Sequence, residues 1–217
     1  MHELKSKNLR ATFSTLGARL VSVFVDDVDV IMGGGTDAQI MAGDWTAGAI
    51  CGRIAGRISN AHFTLDGTEH KLTANMGEHQ LHGGPDNFAV RRWTAQSTDN
   101  SIRFAINSED GDQGFPGALS AEATYTIDGN TLSLDFTAVT TKPTVINLTN
   151  HTYWNLSGGV RNAFDHDMQI DAGGFLPLND LLLPSGEIRN VDGTRWDFRK
   201  LRKVAEKYGM ACLTHEK

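Results

Sequence analysis

Two segments in the middle of the chain alternate apolar and polar residues with a period of two. In ALSAEATYTI, Leu119, Ala121, Ala123, Tyr125 and Ile127 face one way, and Ser120, Glu122, Thr124 and Thr126 the other. TLSLDFTA repeats the pattern with Leu132, Leu134, Phe136 and Ala138. Such alternation marks strands with one buried and one open face. Asp128-Gly129-Asn130 separates the two, and Gly and Asn accept the positive φ of a tight turn, so the pattern predicts a hairpin. HFTLDGTEHKL predicts a second hairpin, turning at Asp66-Gly67. LVSVFVDDVDVIM predicts a third pair, and SIRFAIN a further strand. Helical spacing is confined to RKLRKVAEKYG, where Leu201, Val204, Ala205 and Tyr208 share a face. No repeat of fixed period and no low-complexity linker divides the chain. The expectation is an all-β, single-domain protein over residues 1–217, built as an antiparallel sandwich or barrel.

One predicted strand departs from this scheme. NLTNHTYWNLSG, Asn147 to Gly158, reads as a strand with Asn147, Thr149, His151, Tyr153 and Asn155 on one face. A solvated sheet face accounts for that pattern. So does a floor for a polyhydroxylated ligand, whose hydroxyls pair with amides and whose C–H face lies on a ring.

Composition narrows the classes. The 217 residues carry 20 Lys+Arg against 26 Asp+Glu, a net charge of −6, which argues against nucleic-acid or anionic-membrane binding. Cys51 and Cys212 lie far apart, outside any metal-ligand spacing, and read as free thiols of a reducing compartment. MHELKSKNLR has no apolar signal-peptide core and no apolar run approaches a membrane span, so the expected location is cytoplasmic.

Other candidate chemistry is sparse. His62, His70, His79 and His82 cluster in sequence, but their spacing fits no familiar zinc pattern. In CGRIAGRISN, Arg53 and Arg57 are either solvated or a guanidinium fork aimed at hydroxyls or a carboxylate. EDGDQGFPG has the wrong spacing for a calcium loop and reads as a structured turn. No GxSxG, P-loop or dinucleotide fingerprint occurs.

Taken in order, GRIAGRISNAHFTLDG, LHGGPDNF, DGDQGFPG, NLTNHTYWNLSG and LPSGEIRNVDGTRWDF make the chain resemble the aldose 1-epimerase (galactose mutarotase) family from about Leu16 to Phe198. The resemblance implies a large antiparallel β-sandwich. It also implies interconversion of the α and β anomers of free hexoses such as glucose and galactose by acid/base ring opening, without metal or organic cofactor. Carried over by motif, His151 is the general acid on the ring oxygen, His82 is a second catalytic residue that hydrogen-bonds the sugar and helps hold that oxygen, Arg57 binds a sugar hydroxyl, and Tyr153, beside His151, is a further substrate-binding residue. Where many members have Asn before the second arginine, this chain has Gly56.

The family's base glutamate and a substrate-binding aspartate fall beyond the DFR motif. LRKVAEKYGMACLTHEK matches neither, and Glu206 and Glu216 stand in other contexts. The resemblance therefore implies a sandwich incomplete at its C-terminus, with exposed apolar faces and edges and a depressed rate. Two other readings stay open: a non-catalytic sugar-binding remnant without the base, and a sugar-phosphate epimerase. The latter would gather extra basic residues from Arg53, Arg57, Arg91 and Arg92. The expected partner is a small hexose; the sequence does not decide the oligomeric state.

Overall fold

The computed structural model of the chain describes residues 1–204. They fall into two compact units, Met1–Gly158 and a second that begins at Gly159. The first is a sandwich of two antiparallel four-stranded sheets. One sheet runs in order through His2–Lys5, Leu9–Ser14, Arg19–Val25 and Val28–Asp29. The other runs through Thr94–Ser97, Ser101–Ser108, Leu119–Asp128 and Thr131–Thr140.

The expected alternation closes the core. Leu119, Ala121, Ala123, Tyr125 and Ile127 are all buried, and they meet Phe13, Leu20 and Val23 of the facing sheet in one cluster. The Phe13 ring stands 4.7 Å from that of Tyr125 and 6.2 Å from that of Phe104. Aromatic burial on this scale dominates the cohesion of a sandwich core. The hairpins expected at Asp128-Gly129-Asn130 and Asp66-Gly67 both form, the latter pairing His62–Leu65 with Thr68–Lys71. In the outermost strand, Leu132 and Leu134 pack against the core, but Phe136 and Val139 are exposed, Val139 at 74%. That strand is the edge of its sheet.

The second unit is built from short pairs: Asp167–Met168 with Arg202–Lys203, and Gly174–Phe175 with Arg189–Asn190. The helix expected from Arg199 is not realised in the described residues. Arg202 and Lys203 take strand geometry, and the Arg202 guanidinium lies over the Phe198 ring at 4.1 Å. Backbone pairing across the chain has overridden a weak local helical preference. Ala205, Glu206, Tyr208, Cys212 and Glu216 lie outside the described residues. Among the described residues no helix is long and apolar enough to cross a membrane.

Candidate active site

The site lies wholly in the first unit and rests on a buried arginine. Arg19 is fully buried, and its guanidinium donates to the carbonyls of Ala47, Trp45 (3.0 Å) and Ala89 (3.3 Å). An apolar side chain there would leave those buried carbonyls without a donor. Above it runs the segment from Asp44 to Cys51. Gly48 sits at φ +71°, and a Cβ added to it would stand 2.0 Å from the Leu20 carbonyl oxygen, so only glycine fits this crossing.

His151 is tied to this segment by its backbone. Its N–H donates to the Ala49 carbonyl at 2.8 Å, and its own carbonyl accepts from Gly48 N–H at 2.9 Å. The strand expected across Asn147–Asn155 breaks at this point. Thr149–Asn150 pairs with Ile50–Cys51, whereas Tyr153–Trp154 pairs with Ile31–Met32. The chain changes partner at His151–Thr152, and the five polar residues do not form one face. Asn155 is buried, and its side-chain oxygen accepts from Ser157 N–H at 3.1 Å. Asn150, expected on the apolar face, turns inward and donates to the Tyr125 hydroxyl at 3.1 Å and the Gly48 carbonyl at 3.0 Å.

His82 approaches from the other side. Gln80–Leu81 pairs with Arg57–Ile58, and His82 follows at φ +51°. A histidine in the left-handed region persists only where its surroundings hold it. Here Gly56 does so with two bonds: His82 N–H donates to the Gly56 carbonyl at 2.8 Å, and Gly56 N–H donates to His82 Nδ1 at 3.1 Å. Burial, then the charges of His151 and Arg57, lower the His82 imidazole to about 4. At neutral pH it is uncharged, and because Nδ1 accepts, the ring proton sits on Nε2.

A run of aromatic rings joins these parts. Trp45 meets His82 edge-on at 6.1 Å, His82 meets His151 at 5.2 Å, and His151 meets Tyr153 at 5.1 Å. Arg57 is half-buried beside His82 and donates from Nε to the Met76 sulfur at 3.3 Å. The Tyr153 hydroxyl donates to Asp44 Oδ2 at 2.8 Å. Burial tends to raise the Asp44 carboxyl, but hydrogen bonds from Thr46 and Tyr153 and the charge of His151 hold it below the usual carboxylate range. Burial, with the Asp44 charge adding to it, keeps the Tyr153 phenol above its ordinary value. Cys51 lies below the site, where burial pushes its thiol up to about 12 and leaves it unreactive.

Four residues chosen from sequence thus gather here: His82, His151 and Tyr153 in ring contact, with Arg57 beside them. Arg53 does not join them. It is buried and saturated, donating to Pro116, Gly117, Ser108 and Glu109 carbonyls and to the Ser108 hydroxyl. It braces the EDGDQGFPG turn, where Arg91 also grips Asp112 at 2.6 and 2.7 Å. Arg92 pairs with Asp37. His79 and His70 serve the hairpins: His79 Nδ1 accepts from Asn60 N–H at 2.9 Å, and His70 stacks on Phe63 at 5.2 Å. Sequence reading missed Asp44, Trp45 and Arg19. The only local hint was the Asp-x-Thr turn ahead of a small-residue run.

A two-sheet antiparallel sandwich with a histidine pair, a tyrosine and an arginine on one rim defines a class that comparison with known proteins makes specific. The family model described as aldose 1-epimerase matches residues 1–215, and the chain belongs to that family. It is 40% identical over 204 residues to the galactose mutarotase of Sus scrofa, covering 91% of this chain and 60% of that protein. It is 40% identical over 163 residues to the aldose 1-epimerase of Escherichia coli K12, covering 74% and 47% respectively. Among solved structures, a GalM/aldose epimerase homologue from C. elegans superposes with a TM-score of 0.87 at 32% identity, covering 93% of this chain and 64% of that one. A galactose 1-epimerase from Lactobacillus acidophilus gives 0.85 at 27% identity, covering 96% and 64%. The chain spans about 60% of the length of the curated mutarotases it matches.

Proposed function

We propose that this site binds a free hexose and interconverts its α and β anomers, with His151 as the acid on the ring oxygen. The observation that carries the reading is the edge-on contact of His82 and His151 at 5.2 Å, with Arg57 beside it. It puts one neutral donor and one proton-transfer group on the same small surface. His151 gives its proton to the ring oxygen while the anomeric hydroxyl loses one to a water molecule, since no side chain of the scheme serves as its base. The bond from C1 to the ring oxygen breaks and C1 becomes an aldehyde. Rotation about C1–C2 and the reverse transfers close the ring on the other face. His82 Nε2–H donates to the sugar, and Arg57 pairs with a hydroxyl. Each positioned proton transfer contributes about 10²–10⁴-fold. No metal or cofactor enters this scheme.

A free sugar suits this rim better than a sugar phosphate. Arg53, Arg91 and Arg92 are committed to the turn at Glu109–Gly117, to Asp112 and Asp86, and to Asp37. Arg57 alone of the four stands at the site.

Polarimetry of freshly dissolved α-D-glucose and α-D-galactose at pH 7 tests the reading. The expected result is acceleration over the spontaneous rate by the 217-residue chain, lost in His151→Ala and reduced in His82→Gln. Binding of either hexose without acceleration would replace the catalytic reading with that of a sugar-binding module.

A further inference from the structure

Asp44 brings a carboxylate to the site that the scheme above leaves unused. Both of its oxygens are occupied. Oδ1 accepts from Thr46 N–H at 2.9 Å and from the Thr46 hydroxyl, and Oδ2 accepts from the Tyr153 hydroxyl at 2.8 Å. The turn that presents it is held by Arg19, which donates to the Trp45 and Ala47 carbonyls from below. Tyr153, by contrast, lies on a two-residue strand and is 41% exposed. Without a tether on its hydroxyl, its ring would sample other rotamers. That ring packs edge-on against His151 at 5.1 Å.

We propose that Asp44 is the positioning carboxylate of this site: through the Tyr153 hydroxyl it fixes the aromatic ring against which His151 is aimed. The proposal deepens the hexose reading and rests on it for the role of His151. Its own content, the coupling Asp44–Tyr153–His151, is physical and separately measurable. The charged and titratable groups whose fields bear on this triad are Arg19, Cys51 and His82. A small displacement of a proton-transfer group costs rate far more than it costs binding, so the signature of positioning is a fall in kcat with KM retained.

The test uses the full chain and four variants: Asp44→Asn, Asp44→Ala, Tyr153→Phe and the double variant Asp44→Asn/Tyr153→Phe. Tyr153→Phe keeps the ring and leaves the Asp44 turn intact, so the proposal stays testable even if Asp44→Ala unfolds. The first readout is the proton NMR shift of the His151 ring, assigned with His151→Ala, which senses the Tyr153 ring current whether or not the chain turns over sugar. Asp44→Asn and Tyr153→Phe should displace it in the same direction, and the double variant no further. The second is kcat from polarimetry between pH 5 and 9, expected to fall about tenfold in either single variant and no further in the double, with KM within about twofold. Unchanged His151 resonances in both single variants, or additive losses in the double, would overturn the proposal. Retained activity in His151→Ala would instead overturn the assignment of the acid, leaving the ring-current result to judge the coupling.

Discussion

Gly56 and His82 exchange two hydrogen bonds, one between backbones at 2.8 Å and one from the Gly56 N–H to the His82 imidazole at 3.1 Å. The second decides the chemistry of the ring. An imidazole whose Nδ1 accepts a peptide N–H carries its proton on Nε2 and can only donate from there. Nitrogen-15 NMR of the histidine side chains should find His82 as the neutral Nε2–H tautomer from pH 5 to 8. A protonated or Nδ1–H ring at pH 7 would remove its assigned role as a neutral donor to the sugar.

The same ring makes stability depend on pH. Its value falls from 6.5 to about 4 on folding, through burial first and then the charges of His151 and Arg57. Between those values the unfolded chain binds more protons than the folded one, so His82's contribution is complete above pH 6.5 and is lost as pH falls toward 4. Denaturant titrations across this window should show a declining midpoint, and His82→Gln should flatten that slope. An unchanged slope in the variant would show that another group titrates there.

Gly48 and Arg19 support the floor of the site in different ways. Gly48→Ala places a Cβ 2.0 Å from the Leu20 carbonyl oxygen at φ +71°, and the chain crossing must open. The expected loss is at least about 2 kcal/mol in urea unfolding. Arg19→Met strands the Ala47, Trp45 and Ala89 carbonyls and should lose about 3 kcal/mol or more. Near-normal stability in Arg19→Met would mean that the floor repacks without its donor.

Arg53 and Asp112 anchor the turn at Glu109–Gly117. Burial tends to raise Asp112, but its bonds from Arg91 and Ser108 win and hold the carboxyl below its usual range. A depressed carboxylate contributes stability that is complete above its unfolded value of 3.8 and is lost as pH falls through the folded one. Arg91→Ala should therefore shrink the acid-dependent part of stability below about pH 4, seen as a shallower loss of thermal midpoint there. Arg53→Met should lower stability at all pH values by about 3 kcal/mol, since it strips donors from several buried carbonyls at once.

Strand positions and the sandwich core were legible because they follow from short-range alternation. Tyr125 and Ile127 point inward for the same reason that Thr124 and Thr126 do not: successive side chains of a strand leave on opposite faces. The motif-borne residues His82, His151, Tyr153 and Arg57 were likewise nameable in advance, since each sits in a recognisable run of letters. The break at His151–Thr152 was not. It arises because the chain exchanges Ile50–Cys51 for Ile31–Met32 as its pairing partner, a choice no local period encodes.

The sequence by itself determined the all-β class, the hairpins, the family and the histidines. Only the tertiary structure decided the fates of three arginines of identical chemistry. Arg19 is a buried brace under the site, Arg53 a buried brace under the turn at Glu109–Gly117, and Arg57 a half-buried neighbour of His82. A guanidinium is buried only where several acceptors converge on it. The carbonyls that hold Arg19 come from positions 26 to 70 residues away, and those that hold Arg53 from 55 to 64 residues away. Asp44 reaches Tyr153 across 109 residues, a meeting that the fold creates and no stretch of the sequence records.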